Sequence, residues 1–215
     1  GGGGGGGTSG YANSPGGSGG HGCVIVRYKV DNLGGTAKAT GGLISYYNGM
    51  VIHTFLHDDT FTVTEPGGVD AHFVLVGGGG GGGAWGGAGG GAGGYYATTS
   101  TVPFPAAGHA VKVGKGGSGM GGASYPYNDN HMSSNPGDYP AAGINIQDRQ
   151  QNGGYTQLNN SPTTYARVEG GGRGGGYQPN CARFSWGVPG GSGGGGLNVG
   201  PSPQMVGSGG GWNHS

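Results

Sequence analysis

Charge is scarce in this chain. Only 8% of its 215 residues are charged, nine Lys and Arg against nine Asp and Glu, and the formal net charge is zero. Nine scattered cations do not make the basic stripe that holds nucleic acid by its phosphates. Aliphatic bulk is scarce too: Leu, Ile, Val and Phe together number 31. An ordinary core for a chain this long needs far more, because ordering each residue costs roughly 1–2 kcal/mol. No apolar run reaches 18 residues, so no segment reads as a membrane-spanning helix. No 12-residue window shows a 3.6-residue period without glycine clusters, and each glycine costs a helix about 1 kcal/mol. Two cysteines, Cys23 and Cys181, are too few for a disulfide framework. They either pair with each other or serve as small buried hydrophobes. The chain opens on Gly1–Gly7 without an initiator Met or signal peptide, as expected of a processed product or a window from a longer chain.

Chemical motifs are equally sparse. G-x-G-x-x-G recurs only because glycine is abundant, never at a strand-to-helix turn, so no dinucleotide site is expected. Gly114-Lys115 is followed by glycine rather than Ser or Thr, which breaks the phosphate-loop pattern. No G-x-S-x-G elbow and no zinc-spaced histidine pair occur. His53, His57, Asp58 and Asp59 are close in sequence, but on a strand and turn that spacing does not converge as it does on a helix, and a polar turn is the simpler reading. The expectation is no enzyme, no cofactor and no metal. Asn159 and Asn213 each open an N-x-S triplet, which matters only in a secreted eukaryotic context.

What the chain has is glycine: 63 residues, with 12 prolines. Such a composition suggests disorder or flexible linkers. The arrangement argues otherwise, because Val, Ile, Tyr and Phe are gathered into short blocks between the glycine tracts. In Cys23–Val30 the residues Val24, Val26, Tyr28 and Val30 share one face of a strand. Met50–Leu56, Phe61–Thr64 and Ala71–Val76 read as a small antiparallel meander with Ile52, Phe55, Phe61, Val63, Phe73 and Leu75 as its core. Tyr95–Val102, Ala110–Val113 and Thr164–Glu169 are further strand candidates, with a turn at Pro103-Phe104-Pro105. The chain divides into residues 1–30 (a glycine tract and a strand), 31–76 (the meander) and 77–215 (glycine-rich, with a polar, aromatic loop over 124–161).

Polyglycine has one ordered solution. A polyproline II helix has three residues per turn, rises about 3.1 Å per residue and makes no internal hydrogen bonds. Its N–H and C=O groups point outward, and without side chains such helices approach closely enough to bond laterally. Gly77–Gly83 would span about 22 Å in that form. The expected fold is therefore all-β without α-helix: a small meander joined to stacked polyproline-II-type glycine tracts.

The stretch VIHTFLHDDTFTVTEPGGVDAHFVLVGGGGGGG resembles the opening of a glycine-rich module found in phage tail-fibre and adhesin proteins and in marine bacterial surface proteins. GGAGGGAGGYYATTSTV followed by HAVKVGKGGSG, then TTYARVEGGGRGGGY and PGGSGGGG, resemble its successive elements. GGSGGHGCVIVRYKV resembles its end, with Cys23 where Ile is usual. The resemblance covers most of the chain. It implies a sandwich of polyproline II helices whose connecting loops touch a host receptor. The end element stands first here, so the chain reads as one period of a tandem array, or as a subunit whose ends complete neighbouring copies.

Function is then expected where glycine is scarce. Tyr125, Tyr127, His131 and Tyr139 are the candidate receptor contacts, because Tyr offers rigid area that stacks on sugars or proteins. Trp85, Tyr177, Trp186 and Trp212 punctuate glycine tracts and are candidates for packing or assembly. The leading expectation is a virion- or surface-exposed structural protein, a tail-fibre or adhesin component. Its expected partners are copies of itself, neighbouring fibre proteins, and a host surface glycan or outer-membrane protein. The alternative is a self-assembling extracellular filament. Ice binding would need a regular threonine face, and the threonines here are too local.

Overall fold

A computed structural model describes residues 1–7, 15–30, 35–84, 87–119, 152–160, 163–176, 187 and 190–195. The described residues contain no helix. Their strands are β1 (Cys23–Lys29), β2 (Ala39–Thr40), β3 (Leu43–Tyr47), β4 (Met50–Phe55), β5 (Asp59–Val63), β6 (Val69–Val76), β7 (Tyr95–Ala97), β8 (Val102–Phe104), β9 (Gly108–Lys112), β10 (Thr156–Asn160) and β11 (Thr163–Val168). They form two antiparallel sheets. One runs β3-β4-β1-β6-β7, with β8 also on β6; the other runs β11-β10-β9-β5-β2. The fold is all-β, as the composition demands.

The sheets face each other through alternating residues. Val24, Val26 and Tyr28 of β1, Val51 and Phe55 of β4, and Ala71, Phe73 and Leu75 of β6 are buried from one side. Phe61 and Val63 of β5, Val111 of β9 and Leu158 of β10 are buried from the other. Period two thus places β1 as its sequence predicts. Phe61 is the hub of the aromatic packing, with ring contacts to Tyr28, His53, Phe55, Phe104 and His109.

Several local expectations are corrected. β4, β5 and β6 are antiparallel strands but not a meander: β4 and β6 each pair with β1, and β5 lies in the opposite sheet between β9 and β2. All three carry large apolar groups on their inward faces, and those faces need a second layer to cover them. The chain crosses at His57-Asp58 and so provides it. Within β4 the inward residues are Val51, His53 and Phe55, and Ile52 faces outward, because residues 52 and 55 cannot share a face at period two. Pro103 and Phe104 belong to β8 rather than a turn, with the Phe104 ring buried against Phe61 and Phe73. The far end of the expected 124–161 loop holds β10, whose Thr156 and Leu158 turn inward.

The β3–β4 hairpin closes on Asn48 (φ 47°) and Gly49 (φ 72°). This is the two-residue turn whose twist matches the flanking strands. The Asn-Gly pair between apolar runs is the sequence signal for it.

Candidate functional site

Six strands continue directly into, or out of, glycine tracts. β1 follows tract 15–22, β6 runs into 77–84, β7 follows 87–94, β9 leads to 114–119, β10 follows 152–155, and β11 leads to 169–176. Tract 1–7 adds a seventh. Gly77–Gly83 is buried throughout and lies at the centre.

The hydrogen bonds define the arrangement. The central N–H groups of Gly79 and Gly82 donate to Gly20 and Gly17. Those of Gly77, Gly80 and Gly83 donate to Gly94, Gly91 and Ala88, and that of Gly78 donates to Gly154. The central carbonyls accept in turn. Gly4 and Gly7 donate to Gly80 and Gly83, Gly171 and Gly174 to Gly78 and Gly81, and Gly117 to Gly79, and these bonds span 2.7–2.9 Å. The Gly1 amino group donates to the Gly77 carbonyl. The centre therefore donates to three antiparallel tracts and accepts from three parallel ones.

Bonds around the ring close it: Gly17 to Gly5, Gly19 to Gly117, Gly154 to Lys115, Gly153 to Gly171, Gly91 to Gly172 and Gly90 to Gly4. The ring order is 1–7, 15–22, 114–119, 152–154, 169–176 and 87–94, alternating in direction. Residues 191–195 lie outside it, bonded to both 169–176 and 87–94.

The period along each tract is three. Ideal Cβ positions on Gly77, Gly80 and Gly83 would point at the carbonyl oxygens of Glu169, Gly172 and Gly175. Those on Gly78 and Gly81 would point at Lys115 and Ser118, and those on Gly79 and Gly82 at Gly2 and Gly5, all at 1.9–2.3 Å. No side chain fits there. At Gly2 and Gly5 the same direction is open. In tracts 15–22 and 114–119 the non-glycine residues follow this rule: Pro15, Ser18 and His21, then Lys115 and Ser118, recur every third residue and are at least partly exposed. That spacing is visible in the sequence and is a signal the block-by-block reading misses.

The two patterns meet at one buried side chain. Thr156 Oγ1 donates to the Val76 carbonyl (2.7 Å) and accepts from Gly114 N–H (2.9 Å). It joins the end of β6, the start of β10 and the tract leaving β9, where side-chain packing gives way to backbone packing.

The far end of the stack is a layer containing Gly7, Gly83, Gly16, Gly119 and Gly175. Of the candidate contacts, Tyr125, Tyr127, His131 and Tyr139 lie outside the described residues, as do Trp85, Tyr177, Trp186, Trp212 and Cys181. Cys23 opens β1 and is partly buried.

His53 and His109 are fully buried between the sheets, which the sequence alone does not indicate. His53 Nδ1–H donates to the Gly41 carbonyl (2.8 Å), so its Nε2 accepts from Tyr28 O–H at 3.3 Å; Tyr28 Oη in turn accepts from Lys38 N–H. His109 Nε2–H donates to the Pro105 carbonyl (3.0 Å), and its Nδ1 is buried without a partner. Burial lowers the pKa of both, against the weaker opposing effect of those carbonyls. His57 is exposed and contacts the Asp58 carbonyl. The Asp58 carboxylate accepts from Val113 N–H. Asp59 accepts from Gly42 and Thr60 N–H, bonds that lower its pKa. The four residues His53, His57, Asp58 and Asp59 thus serve separate local bonds rather than one centre.

A pH dependence follows. The unfolded histidines titrate near the usual value of about 6.5, and the folded ones lower. Stability is complete above that unfolded value and is lost as pH falls below it. The loss is at most about 1.4 kcal/mol per pH unit for each histidine, so at most about 2.8 kcal/mol per pH unit for the pair. Urea midpoints should fall between pH 7.5 and pH 5.5, and His109→Phe should remove much of that slope. A flat profile would contradict the assignment.

No family model, curated protein or solved structure matches the chain.

Proposed function

We propose that this chain is a non-enzymatic structural protein exposed on a virion or cell surface, a tail-fibre or adhesin component that presents loops to a host receptor. One observation carries the reading. A central glycine tract, Gly77–Gly83, hydrogen-bonds six neighbouring tracts, a core of backbone on backbone. The three-residue period of the contacts supports polyproline II helices as the conformation of the tracts. A core of backbone is stiff, because each buried N–H and C=O has one specified partner. Glycine-poor segments carried on such a base would meet a surface glycan or outer-membrane protein with Tyr125, Tyr127, His131 and Tyr139. No cofactor and no metal enter this role.

One observation favours a second reading, a self-assembling filament or tandem fibre. Residues 1–30 supply β1, interior to its sheet between β4 and β6, and two of the six ring tracts. Within the sequence only residues 31–38 tie this segment to the rest, so a neighbouring copy can supply it equally well.

Antibody raised against the chain separates the two. Decoration of one end of a tailed virion, with blocked adsorption to host cells, is the expected result. Decoration along free filaments, with virions unlabelled, would replace the adhesin reading by the filament.

A further inference from the structure

The edges of the two sheets are not alike. β2 has two residues, and β7 and β8 have three each. β11 carries Arg167, paired with Glu169, the kind of charge that blunts an edge. β3 has five residues, Leu43-Ile44-Ser45-Tyr46-Tyr47, with no charge and no proline. All are exposed, including Leu43 (66%), Ile44 (41%), Tyr46 (58%) and Tyr47 (75%). Ile44 and Tyr46 lie on the same sheet face as the buried His53 and Val51, their partners in β4, yet they remain open to solvent.

We propose that β3 is a self-association edge, pairing antiparallel with β3 of a second copy about a twofold axis through Ser45.

The backbone sets the register. In a two-residue hairpin the residues flanking the turn form a hydrogen-bonded pair. Tyr47, Ser45 and Leu43 therefore bond inward to β4, and Ile44 and Tyr46 turn their N–H and C=O groups to the free edge. A twofold at Ser45 opposes each Ile44 to the partner copy's Tyr46, and the two pairs exchange four hydrogen bonds. Leu43 then opposes Tyr47 on the outer face. A twofold at Ile44 or at Tyr46 would leave Tyr47 or Leu43 without a partner. The first of these shifts would also need Gly42 N–H, which already donates to Asp59.

Side-chain chemistry agrees. The Ser45-centred register sets aliphatic against aromatic twice on each side, pairs that stabilise antiparallel sheets, and brings no like charges together. A second copy is the occupant that satisfies every position at once, because the strand is complementary to itself. At about 150–250 Å² for a buried aromatic, Tyr46 and Tyr47 offer on the order of 250 Å² per copy. With Leu43 and Ile44 this suits a weak, reversible dimer at the small end of specific interfaces. The pairing closes on itself and stands whether or not the chain is a virion component.

Ser45 and its copy form a non-hydrogen-bonded pair with Cα atoms about 4.5 Å apart, within the range a disulfide spans. The test uses the full chain with Cys23→Ser and Cys181→Ser as background. Ser45→Cys is compared with Thr99→Cys, also exposed but away from β3. Under glutathione redox buffer, Ser45→Cys should form disulfide dimers about tenfold faster or more, since paired thiols meet at millimolar effective concentration. Adding Ile44→Pro removes only an outward N–H and should abolish the advantage; Tyr46→Lys should do so without touching the backbone. Sedimentation velocity of the unmodified chain should show a concentration-dependent dimer that Ile44→Pro or Tyr46→Lys reduces to monomer. Three results would each overturn the proposal: equal rates for the two cysteines, a monomer up to about 1 mM, or oligomers larger than a dimer that persist in both variants.

Discussion

Gly80→Ala is expected to destroy the fold or lower its stability by more than about 4 kcal/mol, a loss reserved for severe packing or backbone conflicts. The added methyl would sit 2.2 Å from the Gly172 carbonyl oxygen and 2.5 Å from its carbon. Those are backbone atoms, so no rotamer change relieves the clash. Moving tract 169–176 outward would break the bonds from Gly171 and Gly174 to the centre and from Gly91 to Gly172. Gly5→Ala is the matched control. Its methyl meets nothing within 4 Å, and it restricts the unfolded chain, so it should be neutral or stabilising by about 0.4–1 kcal/mol. Urea denaturation of the pair separates an ordered stack from a flexible linker, because a linker would tolerate both alanines alike. Similar midpoints for Gly80→Ala and the parent chain would refute the stack.

Phe61→Ala should cost about 3–5 kcal/mol, the usual range for emptying a large buried aromatic site. Phe61 projects from β5 into the opposite sheet and touches five rings, including both buried histidines. Its loss leaves a cavity that Tyr28, Phe55 and Phe104 cannot fill without leaving their own strands. A second readout tests the same contact. Water admitted beside His109 would give Nδ1 a partner, so acid should destabilise Phe61→Ala less steeply than the parent chain. Thermal melts at pH 7.5 and 5.5 report both effects. A loss under about 1 kcal/mol would mean that the sheets do not close on this residue.

Much of the fold is legible in the residues. Val24, Val26, Tyr28 and Val30 announce an inward face, and those residues are buried. Asn48-Gly49 marks the hairpin. Misreadings arise where tertiary context overrides a local signal. Pro103 and Pro105 suggest a turn, yet a proline-bearing strand is acceptable beside β6 because β8 lies off the main strand order. His53 reads as part of a polar turn and His109 carries no local signal, and only the facing sheet makes both core residues. β10 is hidden in a polar stretch because Thr156 is inward for its hydroxyl, not for apolar bulk. The residues on which receptor contact was expected, Tyr125, Tyr127, His131 and Tyr139, are legible only as glycine-poor sequence.

The sequence by itself determines that this protein is all-β and that its glycine tracts need partners. It cannot determine which tract neighbours which. One run of glycines is chemically the same as another, with no side chain to encode a neighbour or a register. The strands resolve that degeneracy. Their period-two faces fix the order of the two sheets, and each tract inherits its place in the ring from the strand to which it is joined. Gly77–Gly83 is central because β6 carries it there, beside β1 and opposite β10, and the six surrounding tracts close over it as backbone on backbone.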